Sequence, residues 1–516
     1  MYGALDKDDS LLLLNEGTGE DLTAGLVQDH DTPFRSWIKL VIPGSLSSFC
    51  RSSLGMVATA FLGHLQASSE FPQADSTDFL AASALTFSWF AATNIIIFYG
   101  TANAISVLCS QAFGANDERG VDTWLRVGAA TTLAACIPIG TCYYFSRSVI
   151  QALLPESGGC NELCGNIIEV YSRRLIPALP PRALYACVSA YFSAQNIVLP
   201  LLCIDFFTMF ANIFLNYLLI YGIGNVGGYG FRGSALATVG SPCIALLLVS
   251  IYFFRTRPFR FARVFTGERC ARWVFGRSGE AGALDEGTGP KKSSALCQYL
   301  SQAVPLSIGG TVEEWQIQII LFMAGALGEA PLSAFSGIIS VFLLLTSVNY
   351  GIMSATTVKV GNYVGAKDKD RAIETIKYAF YLSFIFGTGC CAGFILFRNE
   401  IGKIFSSAPT IWHLTSEECW LIGPSYILLC AFFVSMAALE GQARATELSI
   451  SFLVGAWFVS IPMAYIFAFT LGYGLIGLWI GIIIGYLVIT LFTIYFYLNS
   501  EWDKIIDASQ ARLAQQ

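Results

Sequence analysis

The residues with the most chemistry to offer are two adjacent carboxylates, Glu313 and Glu314, in the middle of the apolar stretch from Leu300 to Ala324. A charge at the centre of a bilayer costs roughly 3 kcal/mol on insertion scales, and acids found there usually face a bundle interior or a water-filled cavity on an ion or proton pathway. Adjacent helical positions point about 100° apart, so the pair cannot share one face. One is expected to face a central cavity, the other a neighbouring helix or the aqueous edge. Pro305 and the pair Gly309-Gly310 precede them, where they can kink the helix and admit a second backbone. A proton or a cation held there would remove a charge that is costly to bury. No cofactor or metal is called for. Histidine occurs only at His30, His64 and His413, which argues against an intramembrane zinc enzyme or a histidine-based acyltransferase.

The elements that must position these acids are membrane helices. Of 516 residues, 54% are hydrophobic and 13% charged, against about 25% charged in a soluble domain. The chain therefore reads as an all-α integral membrane protein. About twelve apolar stretches are long enough to span ~30 Å of hydrocarbon: 36–62, 79–105, 122–145, 167–193, 199–222, 232–254, 296–324, 333–358, 373–397, 419–442, 449–471 and 475–499. The longest internal loop, Arg255 to Lys292, holds nine Lys or Arg, and the segment after the eighth span adds Lys359, Lys367, Lys369, Arg371 and Lys377. Basic loops stay in the cytoplasm, so with an even span count both termini are expected there. The first outer loop carries Glu70, Asp75 and Asp78 and no base.

Residues 1–33 form an acidic tail, eight Asp or Glu against Lys7, read as disordered and lacking the basic start and apolar core of a signal peptide. Asp8 to Leu13 fits an acidic-dileucine sorting pattern, or a chance leucine run. Cysteines lie mostly inside spans, where Cys behaves as a small hydrophobe. Cys160 and Cys164 share an outer loop and are close enough in sequence to pair.

Internal repetition sets the layout. Phe98 to Asp117 aligns without a gap to Asn349 to Asp368, with seven identities: Tyr99 with Tyr350, Gly100 with Gly351, Ala104 with Ala355, Val107 with Val358, Gly114 with Gly365, Ala115 with Ala366 and Asp117 with Asp368. Gly228 to Gly233 likewise answers Gly472 to Gly477. Two parallel six-helix halves about an axis along the membrane normal follow, an alternating-access arrangement. The expected divisions are an N-terminal lobe at 34–256, a basic loop at 257–295, a C-terminal lobe at 296–499 and a tail at 500–516.

Several motifs carry a family resemblance. They are Gly63-His64-Leu65; Leu108-Cys109-Ser110-Gln111-Ala112-Phe113-Gly114-Ala115; Ile176-Pro177 through Tyr191-Phe192-Ser193-Ala194-Gln195; Glu314-Trp315; and Val360-Gly361-Asn362 with Gly365-Ala366. From about Phe34 to Asn499 the chain resembles the multidrug and toxic compound extrusion (MATE) transporters, their eukaryotic branch in particular. The resemblance implies a V-shaped, twelve-helix antiporter, monomeric, that expels small organic and often cationic solutes in exchange for protons or sodium, with no nucleic-acid partner. Glu314 falls on the family's seventh-span glutamate, the coupling and substrate-charge group; Glu313 is outside that pattern. A second glutamate usual five residues on is replaced by Ile319, beside Gln318. The first span has no acid from Pro43 to Leu62, only Arg51.

Asn212 and Asn216, four apart on the fifth span, match polar cavity positions or tie helices together. Gln195 closes the fourth-span motif. Trp315, Tyr350, Phe87, Trp89 and Tyr185 offer faces to an organic cation, or simply pack. Asp205 is expected to be wet, near the start of the fifth span. Glu440 is expected close to the cytoplasmic interface, where the family commonly has a base. A citrate-like organic anion, or a lipid or polysaccharide carried by a related flippase, remains an alternative substrate; the flippase would use Arg51 and Arg182. The membrane is the plasma membrane or a vacuolar or endosomal one.

Overall fold

The computed structural model describes residues 32–63, 73, 76–153, 162–223, 226–266, 292–405 and 409–514. The acidic tail with Asp8 to Leu13, His64 and Leu65, Glu70 and Asp75 of the first loop, Cys160, and Arg269 to Lys291 lie outside them. The chain is all-α, with twelve transmembrane helices in two pseudo-symmetric bundles. Among the described residues, nine helices are long and apolar enough to cross a membrane. The remaining three spans are the polar ones. The first, Pro33–Gly63, carries Arg51 and a run of serines. The fourth is built of Glu162–Leu175, a 3-10 turn Ile176–Ala178 around Pro177, and Leu179–Ala194. The seventh, Lys292–Ala326, contains Glu313 and Glu314. Polar side chains that lower a helix's apolarity are where a membrane protein does its work.

The second span changes pitch where the repeat begins. Helix Ser76–Ile95 passes through a π-helical turn, Ile96–Thr101, into Ala102–Gly114. Such a turn inserts a residue and re-aims the following face, here around Tyr99. The eleventh span is similarly interrupted, at Leu453–Ser460 and Ile466–Thr470. A two-residue antiparallel ladder, Gly222–Ile223 with Val226–Gly227, joins the fifth and sixth spans.

The repeat is visible in three dimensions. After the second span, Asn116 takes a left-handed φ of 60° and Asp117 caps the third helix by accepting from the Gly120 N–H at 2.9 Å. After the eighth, Lys367 takes φ 64° and Asp368 accepts from the Arg371 N–H at 3.1 Å. Aspartate at an N-cap satisfies one of the orphan donors of the first turn. The two halves cross on the same pair of motifs. A Cβ built on Gly114 would run into the Asn362 carbonyl, and one on Gly365 into the Gln111 carbonyl. Small residues let membrane helices approach backbone to backbone. The seam is completed by Gln111 Nε2 donating to the Gly441 carbonyl at 3.1 Å and by Asn362 with Asn196 at 3.2 Å.

Gly365→Ala and Gly114→Ala are each expected to destabilise the protein by about 1–3 kcal/mol through overpacking. Gly389→Ala, on the ninth span with open space around it, is expected to be neutral or slightly stabilising. Thermal melts of detergent-solubilised protein check the contrast.

Candidate functional site

Glu313 and Glu314 diverge as helical geometry requires. Glu313 faces the twelfth span, where the Tyr486 hydroxyl donates to its Oε1 at 3.0 Å. Glu314 accepts from its own helix, Gln318 Nε2 to Oε1 at 3.0 Å. Trp315, 37% exposed, reaches the other half: its Nε1 donates to the Ala92 carbonyl of the second span at 3.3 Å. Gly310 lets the seventh span close on the Tyr99 ring, and Gly309 lets it close on Ser449 and Phe452 of the eleventh. Gln316 on the far face is tied to Ser460 at 2.7 Å. The seventh span is thus clamped on both sides of its acids.

A third carboxylate joins them. Glu440 is the penultimate residue of the tenth-span helix, Pro409–Gly441, and is enclosed by neighbouring helices at 2% exposure. The second and eighth spans close over it. Tyr99 OH donates to its Oε1 at 2.9 Å, Asn103 Nδ2 to the same oxygen at 3.3 Å, and Thr357 Oγ1 to its Oε2 at 3.2 Å. Tyr99 lies in the electrostatic field of both Glu440 and Glu313. Tyr350, 43% exposed and edge-on to Phe433 at 5.2 Å, lies in the field of all three acids. Every hydrogen-bond partner of the three is a hydroxyl or an amide, and among the described residues none of them makes a salt bridge. An uncompensated negative cluster in a membrane protein is a place for a proton or a cation. Tyr99, Asn103, Thr357 and Tyr486 were not among the expected site residues; the Tyr99–Tyr350 repeat pair was the available signal.

The remaining expected residues lie elsewhere. Gln195 sits at the end of the fourth span; its Nε2 donates to the Tyr191 carbonyl at 3.0 Å, and its Oε1 accepts from Arg257 and Arg260. It fastens the basic segment Pro258–Thr266 to the bundle, and the structure does not bring it to the carboxylates. Asn212 Nδ2 donates to Ser241 Oγ of the sixth span at 2.8 Å, and Asn216 Nδ2 to the Asn212 carbonyl at 2.9 Å. Asn212 thereby ties the fifth span to the sixth, while Asn216 bonds back to Asn212 on its own helix.

Asp205 is not wet. At 4% exposure it accepts from Ser47, from Tyr185 OH at 2.5 Å, and pairs with Arg51 at 3.4 Å. Tyr185 is spent on this bond, and Arg51 is balanced by the acid. Ser47 and Arg51 also line a cleft with Ser189, Ser193 and Ser354, between the first, fourth, fifth and eighth spans. Glu418, in the N-terminal part of the tenth-span helix, is a further buried acid held by Trp479 Nε1 at 2.6 Å.

The MatE family profile matches residues 43–218 and 305–466. The multidrug and toxin extrusion protein 1 of Xenopus tropicalis is 25% identical over 488 residues, covering 93% of this chain and 76% of the relative. Its human counterpart is 22% identical over 476 residues, covering 92% and 76%. Protein DETOXIFICATION 38 of Arabidopsis thaliana is 24% identical over 478 residues, covering 92% and 86%. Among solved structures, the eukaryotic MATE transporter AtDTX14 superposes with a TM-score of 0.79 at 19% identity, over 93% of this chain and 98% of that one. A transporter of the MOP superfamily from Pyrococcus furiosus gives 0.72 at 19% identity, over 95% and 98%.

Asp205→Ala strands the Tyr185 and Ser47 hydroxyls and the Arg51 guanidinium. The expected cost is about 2 kcal/mol, more than the ~1 kcal/mol expected for Asn212→Ala, which removes neutral hydrogen bonds only. Thermal denaturation in detergent distinguishes the two.

Proposed function

The chain belongs to the MatE family, the multidrug and toxin extrusion transporters, and on that premise we propose that it is a secondary antiporter exporting organic, mainly cationic, solutes in exchange for protons. The observation that supports this reading is the cluster of carboxyl groups Glu313, Glu314 and Glu440, without a basic partner among the described residues. Glu314 is the exchange site. Like Glu313 it accepts one hydrogen bond, but its own comes from Gln318 on the same helix, so no other span holds it. Trp315 beside it and Tyr350 opposite are exposed aromatic faces suited to an organic cation.

The exchange follows from charge burial. A bare carboxylate resists being closed into a low-dielectric interior, whereas a proton or a cation neutralises it and permits closure. Only a loaded carrier then rocks between its two openings, so each solute outward is matched to a proton inward. The basic segments favour cytoplasmic termini, in a plasma, vacuolar or endosomal membrane. The lobes are taken as 34–256 and 296–499, joined by the basic loop. An organic-anion or flippase reading would need an unpaired basic cavity. Arg51, one of its two candidates, is held by Asp205.

In proteoliposomes, an imposed pH gradient is expected to drive uptake of a fluorescent organic cation by the wild type. Glu314→Gln is expected to abolish that uptake, a drop of about a hundredfold or more if the coupling charge is lost, while Glu313→Gln retains a measurable rate. Normal uptake by Glu314→Gln would remove it from the mechanism.

A further inference from the structure

The last helix, Trp502–Ala514, has no part in the exchange at Glu314, yet it touches both halves of the protein where they meet. It follows the twelfth span after a short turn and is fastened to the C-terminal half. Arg444 donates to the Phe496 carbonyl and to Ser500 Oγ, each at 2.8 Å, and Ser500 Oγ donates to Gln442 Oε1 at 3.1 Å. Further along, Gln510 Nε2 donates to the Gly365 carbonyl of the eighth span at 3.0 Å. Trp502 and Ile505 pack on the apolar cluster that the first span shares with the eighth, ninth and tenth.

Two further bonds run to the N-terminal half. Ser509 Oγ, fully buried, and the Arg512 guanidinium both donate to Gln111 Oε1 of the second span, at 3.2 and 2.8 Å. Gln111 is buried too, and its Nε2 donates to the Gly441 carbonyl of the tenth span. It lies in the crossing where a Cβ on Gly365 would meet its own carbonyl. With that crossing closed, the side of the bundle carrying the last helix is shut. The docking is strong enough to hold and weak enough to release. A helix of 13 residues is marginal in water by itself, so it depends on these contacts. Against them, Arg512 is buried beside a neutral amide, and among the described residues it has no acid partner and its Nε no acceptor. An uncompensated buried charge opposes docking.

Resting on the alternating opening of the two halves, and not on which ion is exchanged, we propose that Trp502–Ala514 is a strap. Carried by the C-terminal half, it holds the bundle shut on its own side through Gln111, and that side opens only when Gln111 leaves Ser509 and Arg512.

The geometry decides which bonds break. When the halves part, the second span moves with one, and the eighth, tenth and twelfth move with the other. The bonds from Gln510 to Gly365 and from Arg444 to Ser500 lie within the C-terminal half and survive. Those from Ser509 and Arg512 to Gln111, and from Gln111 to Gly441, cross the divide and are lost. All three lost bonds belong to one side chain, so Gln111 is the point of release. The contacts exist only while that side is shut, so they favour the shut state. Neither Ser509 nor Arg512 touches Glu313, Glu314 or Glu440. The strap therefore sets how often its side stands open without altering the groups that hold the solute.

The test uses the full chain, as wild type, Arg512→Ala, Gln111→Ala and the double variant, with Asp503→Asn as control. Hydrogen–deuterium exchange is followed at fixed pH over the seam, 103–114, and over the helix, 502–514. Arg512→Ala is expected to speed exchange at 103–114 about tenfold, the change expected for losing one to two hydrogen bonds. In the Gln111→Ala background the same substitution is expected to add nothing, because its acceptor is already gone. The helix itself is expected to stay protected in Gln111→Ala, held by the C-terminal half. Asp503→Asn, which removes an exposed ion pair with Lys369 at 3.7 Å, is expected to match wild type. Counterflow of tetraethylammonium gives a second readout. Its half-saturating concentration, measured from the side carrying the helix, is expected to fall about threefold in Arg512→Ala, since a larger open fraction raises apparent affinity. If thermal melts show that Arg512→Ala does not fold, Arg512→Lys, which keeps a donor, is read instead and is expected to give a smaller rise of the same sign. Unchanged seam exchange on substitution of Arg512, or the same rise with Gln111 already removed, overturns the strap. If no ion gradient drives uptake by the wild type, the antiporter reading fails, while the exchange data still decide the strap.

Discussion

The feature on which the central packing turns is a group of carboxylates inside the helical bundle that, among the described residues, has no basic partner. Three carboxylates on the seventh and tenth spans are held by two tyrosines, a threonine and two amides, and among the described residues by no lysine or arginine. Hydroxyls and amides can satisfy the lone pairs of a carboxylate, yet they do not neutralise it. The cluster therefore stays receptive to a proton or a cation in a way that a salt bridge would not. Asp205 illustrates the alternative within the same chain. Paired with Arg51 and capped by Tyr185 and Ser47, it is electrostatically complete and serves to join the first, fourth and fifth spans.

The same economy shapes the contact between halves. Second and eighth spans cross where Gly114 and Gly365 leave no room for a side chain, and each ends in a left-handed residue followed by a capping aspartate. Close backbone approach brings Tyr99 and Asn103 onto Glu440. A bulkier crossing would separate the acid from its donors, so small residues at the seam and charge in the site form one device.

Much of this was legible in the chain. The Phe98–Asp117 and Asn349–Asp368 repeat identified the two crossing spans, and the acids at 313 and 314 singled out the seventh span by their cost alone. Their divergence followed from helical pitch. What sequence could not show was the closing of distant segments over single residues. Nothing in the sequence around Glu440 pointed to Tyr99, 341 positions away, which covers it. Asp205 looked wet because it lies near the start of a helix, until Ser47, 158 positions away, and Tyr185 enclosed it. Gln195, part of a family motif, was read as a site residue and instead secures a basic segment, since motif membership does not distinguish a binding group from a fastening one.

The most direct measurement is the ion that moves against the solute. Proteoliposomes containing wild-type protein and an internal pH dye, with the membrane potential clamped, would be given an inward gradient of organic cation, with and without sodium on either side. Proton exchange predicts that the interior becomes alkaline as the cation enters, in proportion to the cation flux and independently of sodium. Cation entry with no change in internal pH, or entry that requires an opposing sodium gradient, would contradict it.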